Sequence, residues 1–177
     1  MTRYPRYKRV TSAITLLLLA AWLGYVLLWP NPNAAAGSGV PVGSVAPDFE
    51  LKTVTGESYR LSDLRGKAVL LNFFATWCRY CEQEMPALEE AYRTYADQGF
   101  VVLAIDLDET DLAITAFRDE MGITFPILVD RGSNVARVYQ IVPLPTTYFI
   151  DRSGVVRGKW TGPLTPEQLR EALQLIL

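Results

Sequence analysis

Residues 68–75, AVLLNFFA, are an almost wholly apolar run, and a helical pattern begins a few residues behind them. A strand that is apolar on both alternating faces is covered on both sides. The helix shows in Cys81, Met85, Leu88, Tyr92 and Tyr95, which fall on one stripe of a 3.6-residue period. Gly99 follows as a stop. A doubly buried strand feeding an amphipathic helix calls for a sheet with helices on its faces.

The rest of the chain repeats this alternation. FELKTV and ESYRL read as a strand pair turned at Thr55-Gly56. FVVLAID (100–106) and FPILVD (125–130) read as two further buried strands. Between them Thr110 can cap a helix with Leu112, Ala113, Ala116, Phe117 and Met121 inward, stopped by Gly122. Asn134 to Gln140 reads as a short helix. TTYFID (146–151) and VVRGKWTG (155–162) form a hairpin about Arg152-Ser153-Gly154. Thr165-Pro166-Glu167-Gln168 is a capping box with Pro at N1, opening a helix that buries Leu169, Ala172, Leu173 and Ile176. The expected order is β-β-β-α-β-α-β-α-β-β-α, an α/β domain with a mixed central sheet over residues 44–177.

The segment ahead of this domain is different in kind. Arg3, Arg6, Lys8 and Arg9 lie within the first nine residues, which carry no acid, although the whole chain has a net charge of −2. Val10 to Trp29 carries no charge at all. At ~1.5 Å per residue such a helix crosses a ~30 Å hydrocarbon layer. Basic residues before it place the N-terminus in the cytoplasm, and Trp22 and Trp29 suit interface anchors. The expectation is a basic cytoplasmic tail (1–9), a single transmembrane signal-anchor helix (10–29), a flexible Pro/Gly/Ala/Asn linker (30–43), and a domain on the extracytoplasmic side of the cell membrane. The alternative is a cleaved signal peptide, since Ala34-Ala35-Ala36 resembles a cleavage site; the apolar run is longer than the ~7–15 residues of such a signal. No cysteine lies near the anchor, which excludes a lipoprotein. The overall charge gives no reason to expect nucleic acid as a partner.

The chemistry concentrates in TWCRYCEQE, residues 76–84. Cys78 and Cys81 are the chain's 2 cysteines, and there is no histidine. A structural staple closing so short a loop would stabilise by only about 2 kcal/mol. Zinc needs about four ligands, and the pair supplies two, leaving carboxylates for the rest. A reacting dithiol has a physical mechanism. Cys78 stands where a buried strand ends and a helix begins, so unpaired N–H groups and the helix dipole favour its thiolate. Arg79 adds a positive charge beside it. Cys81 lies one turn deeper on the apolar face and is the less accessible sulfur. Cys78 would attack a target disulfide as the exposed nucleophile, and Cys81 would resolve the mixed disulfide.

LNFFATWCRYCEQEMP resembles the active-site segment of the thioredoxin superfamily, and VPLPTTYFID resembles its Pro-Thr segment opposite the cysteines. GSVAPDFEL and ETDLAITAFRDEMGITFPILVD resemble the N-terminal extension and the helix–strand insertion of one branch. That branch is the membrane-anchored TlpA/ResA-like thiol–disulfide oxidoreductases, within the redoxin or AhpC/TSA-like group. The resemblance implies a thioredoxin-like fold with an N-terminal β-hairpin and a central helix–strand insertion. It implies no cofactor beyond the redox-active Cys78–Cys81 disulfide, and no metal.

The resemblance also assigns roles. Leu144–Pro145 matches the cis-proline bond, which brings residue 144 close to Cys78, where a substrate pairs as an extra strand. Pro86 matches the proline of the family's kinked helix. Asn72 stands where thioredoxin carries a buried acid, and asparagine cannot titrate. Glu84, three residues after Cys81 and on nearly the same helix face, is the acid that serves the site instead. Partly buried near two sulfurs, it would have a raised pKa and exchange a proton with Cys81. Trp77 shapes the contact surface or is packed, and the Arg79-Tyr80 dipeptide tunes the redox potential. The implied function is disulfide reduction in protein substrates, apocytochrome c among them, with re-reduction by a CcdA/DsbD-type membrane electron donor. Three rivals stand beside it: a peroxiredoxin-like thiol peroxidase, a disulfide-introducing oxidant, and a non-catalytic binding module. The peroxidase class carries a proline-preceded Thr-x-x-Cys site, whereas Thr76 here is two residues from Cys78.

Overall fold

The structure is a computed structural model and describes Leu18, Leu19 and residues 39–177. The strands are β1 Glu50–Thr53, β2 Ser58–Arg60, β3 Ala68–Phe74, β4 Phe100–Asp106, β5 Ile127–Val129, β6 Thr146–Ile150 and β7 Val156–Thr161. The helices are α1 Arg79–Tyr95, α2 Asp111–Met121, α3 Asn134–Val138 and α4 Pro166–Leu173. The element order is the expected one.

The strands form one seven-stranded sheet in the order β2-β1-β5-β4-β3-β6-β7. β3 lies parallel to β4 and antiparallel to β6, and β4 lies parallel to β5. The β1–β2 hairpin turns at Gly56 (φ +89°) and attaches to β5 antiparallel. The helix–strand insertion thus carries the sheet outward, and the N-terminal hairpin completes that edge.

Every residue of β3 is buried, because both sheet faces are covered. Ala68, Leu70 and Phe74 face the side packed by α1, α2 and α4, through Met85, Leu88, Ile114, Phe117, Leu169 and Leu173. Val69, Leu71 and Phe73 face the other side, with Val135 and Ala136 of α3, Tyr139, Phe49 and Val40. Each large apolar side chain so buried contributes roughly 1.5–3 kcal/mol, which makes β3 the mechanical centre of the domain. By strand alternation Asn72 falls on the α1 side, a polar group in an apolar layer.

Two features depart from the sequence reading. In α2 the inward residues are Ile114 and Phe117, with Met121 half-buried, while Leu112 is 81% exposed and Ala116 is exposed. Apolar residues are so frequent in α2 that periodicity alone does not fix which stripe faces the sheet. The folded unit also begins before residue 44. Val40 is buried, Gly43 N–H donates to Val156 O at 2.7 Å, and Val45 bridges Val155. Gly39 adopts φ +64°, and a Cβ there would stand 2.4 Å from the Tyr148 hydroxyl and 2.8 Å from Tyr139 O, so only glycine fits. The end of the 30–43 stretch is therefore part of the folded unit.

Among the described residues no helix is long and apolar enough to cross a membrane. The tail expected over 1–9 and most of the linker lie outside the described residues. So does the membrane helix expected over 10–29, except Leu18 and Leu19, which are helical.

Candidate active site

β3 and β4 run parallel and end side by side, with Phe74 opposite Asp106. Ala75, Thr76 and Trp77 lead from β3 to Cys78, which is the N-cap residue of α1 (φ −86°, ψ 101°). Cys78 and Cys81 are joined in a disulfide with Cα atoms 5.2 Å apart. The Cys81 N–H donates to Cys78 Sγ at 3.2 Å. The first turn of α1 therefore aims a backbone donor at the sulfur expected to attack, and a thiolate there gains from that donor and from the helix dipole. Cys78 retains 7% exposure and Cys81 none. Cys78 is the less buried of the two residues, in the order expected, but it does not stand open.

Exposed residues neighbour the cysteine pair in the sequence. Trp77 is 75% exposed and Tyr80 60% exposed, so Trp77 is presented to solvent rather than packed. Val142 and Arg79 are exposed as well. Leu144 is half-buried against the cluster that contains both cysteines, and the Leu144–Pro145 bond is cis. Pro145 itself is buried.

Glu84 is fully buried on the apolar face of α1, one turn after Cys81. Its Oε1 accepts from Asn72 Nδ2 at 2.7 Å and its Oε2 from the Leu164 amide at 2.9 Å. Burial pushes its carboxyl up to about 7, against the Leu164 N–H and the Asn72 amide, which hold it down. A buried acid poised near neutrality, next along the helix from the buried sulfur, is suited to move a proton there. Asn72 also donates to Thr147 Oγ1 at 2.9 Å, while its Oδ1 is buried without a partner among the described residues. The asparagine that replaces a titrating acid is thus the anchor of the acid that remains.

Thr76, Asp106, Glu109, Thr147 and Leu164 also belong to the site, and the sequence reading missed them. Glu109 accepts from Thr76 N at 2.6 Å and Thr76 Oγ1 at 2.6 Å, and Asp106 Oδ1 accepts from Glu109 N at 2.9 Å. Glu109 sits in an acidic stretch just ahead of α2. Only the parallel pairing of β3 with β4 brings it to the cysteine loop, and no local pattern announces that.

The comparisons agree with this geometry. Residues 42–159 match the model of the AhpC/TSA family. Thiol-disulfide oxidoreductase ResA of Geobacillus thermodenitrificans is 43% identical over 167 residues, covering 94% of this chain and 95% of that protein. Thioredoxin-like protein YneN of Bacillus subtilis is 37% identical over 171 residues, covering 95% and 98%. Among solved structures, StoA from Bacillus subtilis aligns with a TM-score of 0.63 at 26% identity, covering 73% of this chain and 98% of that one. A thioredoxin-family thiol:disulfide interchange protein from Chlorobium tepidum aligns with a TM-score of 0.69 at 29% identity, covering 77% and 97%. The chain therefore belongs to the AhpC/TSA family, and within it to the thioredoxin-like thiol–disulfide oxidoreductases of the ResA type.

Proposed function

We propose that this oxidoreductase is a membrane-tethered, extracytoplasmic reductant of disulfides in other proteins. The observation that carries the exchange chemistry is Cys78 at the start of the helix, capped by the Cys81 N–H, with the buried Glu84 one turn beyond Cys81. In the reduced protein the Cys78 thiolate attacks one sulfur of a substrate disulfide. That S–S bond breaks, its other sulfur leaves as a thiolate and takes a proton, and a mixed disulfide forms. Cys81 gives its proton to Glu84 and attacks Cys78 Sγ. The mixed disulfide breaks, the substrate leaves as a dithiol, and Cys78–Cys81 closes. Two electrons pass from protein to substrate, and an external dithiol must restore them.

The uncharged Val10–Trp29 run behind four basic residues supports the tether. The exposed Trp77, Tyr80 and Val142 supply an apolar contact surface of the kind a polypeptide substrate requires. The resemblance to TlpA/ResA-like proteins favours apocytochrome c as substrate and a CcdA/DsbD-type membrane protein as electron donor. The reduction potential of the 78/81 pair tests the direction of flow. A value near the thioredoxin end, roughly −270 mV, is expected; one near −120 mV would make the protein an oxidant. Cys81→Ser should trap the substrate on Cys78 as a mixed disulfide, and the identity of the trapped protein tests the cytochrome assignment.

A further inference from the structure

The segment that delivers the nucleophile is held by two acids that thiol exchange itself does not use. Asp106 ends β4 and is fully buried. Its Oδ1 accepts the Glu109 amide, and its Oδ2 is buried and meets no donor among the described residues. Both Glu109 oxygens accept from Thr76, one from the amide and one from the hydroxyl. Glu109 is therefore a carboxylate, since a protonated oxygen there would face a donor. A buried carboxyl oxygen with no donor, in a site that already holds the Glu109 carboxylate, keeps its proton, because ionised Asp106 would put a second anion in the same dry site. This accounts for the donorless Oδ2.

We propose that Asp106 is a positioning residue for the exchange reaction: as a neutral acid it anchors the Glu109 carboxylate that clamps Thr76, and through Thr76 it sets where Trp77 and Cys78 stand. The inference rests on Cys78 being the attacking thiol. When Asp106 loses its proton, two adjacent anions share a dry site and repel, and the clamp on Thr76 loosens.

The neighbouring charges do not undo this. Arg131, from the β5–α3 connection, donates to the Glu109 carbonyl and the Asp111 carboxylate and lies 3.9 Å from Asp108. Asp130 donates its N–H to Asp106 O, but its carboxylate is occupied by the Val135 and Ala136 amides of α3. From the β3–α1 loop comes Thr76, which is uncharged. Burial first, and then the neighbouring Glu109 carboxyl, push the Asp106 carboxyl up to about 8 against Arg131. Glu109 stays below the usual glutamate range despite its burial, held there by Asp106 and Thr76.

The test follows the full chain in detergent from pH 6 to pH 10. The Asp106 carboxyl carbon should titrate near 8 by NMR, and the Thr76 amide resonance should move with the same midpoint. Alkylation of reduced Cys78 by iodoacetamide should fall on the order of 10-fold from its plateau above that pH, as expected for a displaced reacting group. Asp106→Asn keeps an acceptor for the Glu109 amide and cannot ionise, so the Thr76 transition and the fall should both vanish. Asp106→Leu removes the acceptor and should alkylate slowly throughout; if it does not fold, Asp106→Asn and the titration decide. Titration of Asp106 in the ordinary carboxylate range, or a fall that persists in Asp106→Asn, overturns the proposal. A protein that shows these transitions yet fails to reduce protein disulfides would overturn the proposed function and leave the clamp standing.

Discussion

Glu84 meets two requirements that pull against each other. It must be dry enough to hold a proton near neutral pH and bonded well enough to let it go. Burial supplies the first, and the Asn72 and Leu164 donors supply the second. Asn72 suits both protonation states, because its amide offers NH₂ to a carboxylate and, turned over, oxygen to a carboxylic acid. In the orientation that serves the carboxylate, the Oδ1 is the atom left without a partner. A stability consequence follows. Folded Glu84 titrates at about 7, against an ordinary value of 4.5 in the unfolded chain. The native Glu84 carboxyl binds more proton across that window, so its contribution to stability falls as pH rises from about 4.5 to about 7 and is constant beyond it. Glu84→Gln should remove a decline on the order of 3 kcal/mol, read by urea denaturation at both ends of the window. Asp106 slopes the same way in both proteins, so the difference between them isolates Glu84; equal slopes would discard the poised acid. The same substitution should abolish the inflection near pH 7 in the rate at which Cys81 closes the disulfide. Glu84 was legible because helix geometry ties it to Cys81. Asp106 and Glu109 were not, because only strand pairing ties them to Thr76.

Helix ends were legible because a cap is a local contract between a few residues. Thr165 accepts the Gln168 amide at 3.3 Å and Gln168 Oε1 accepts the Thr165 amide at 2.9 Å, the reciprocal pair its spacing announced. Thr110 accepts the Ala113 amide at 3.3 Å, and Gly99 and Gly122 close their helices at φ +76° and +64°. Thr165→Ala should cost about 1 kcal/mol, seen as a lower urea midpoint with an unchanged slope. The inward face of α2 was less legible, since both candidate stripes are apolar and the sheet chooses between them. Burial makes the choice measurable. Ile114→Ala should cost about 2–5 kcal/mol, whereas Leu112→Ala should stay within about 0.5 kcal/mol. Comparable losses at the two positions would mean that α2 packs on the stripe the sequence suggested. Strand existence was clear from apolar runs, but strand order was not. Placement of β1 beyond β5 depends on backbone pairing, which side-chain patterns do not encode.

At the scale of the molecule, Ser38–Leu177 is a compact unit with a core on each face of its sheet. The N-terminal run has a separate task if the tethering proposal is right. It would hold the domain at the membrane surface and raise its effective concentration toward membrane-bound partners without adding a contact. Tethering and reactivity should therefore separate. The full chain should sediment with membranes and resist a carbonate wash, and a chain starting at Ser38 should be soluble. Against a small soluble disulfide the two should react at the same rate, because Cys78, Cys81, Glu84 and Asp106 all lie inside the compact unit. Against a reductant embedded in the same bilayer, the shortened chain should be re-reduced more slowly, by a factor that shrinks as its concentration is raised. Release of the full chain by carbonate would remove the tether. A loss of reactivity toward the small disulfide on shortening would show instead that the N-terminal segment takes part in the site.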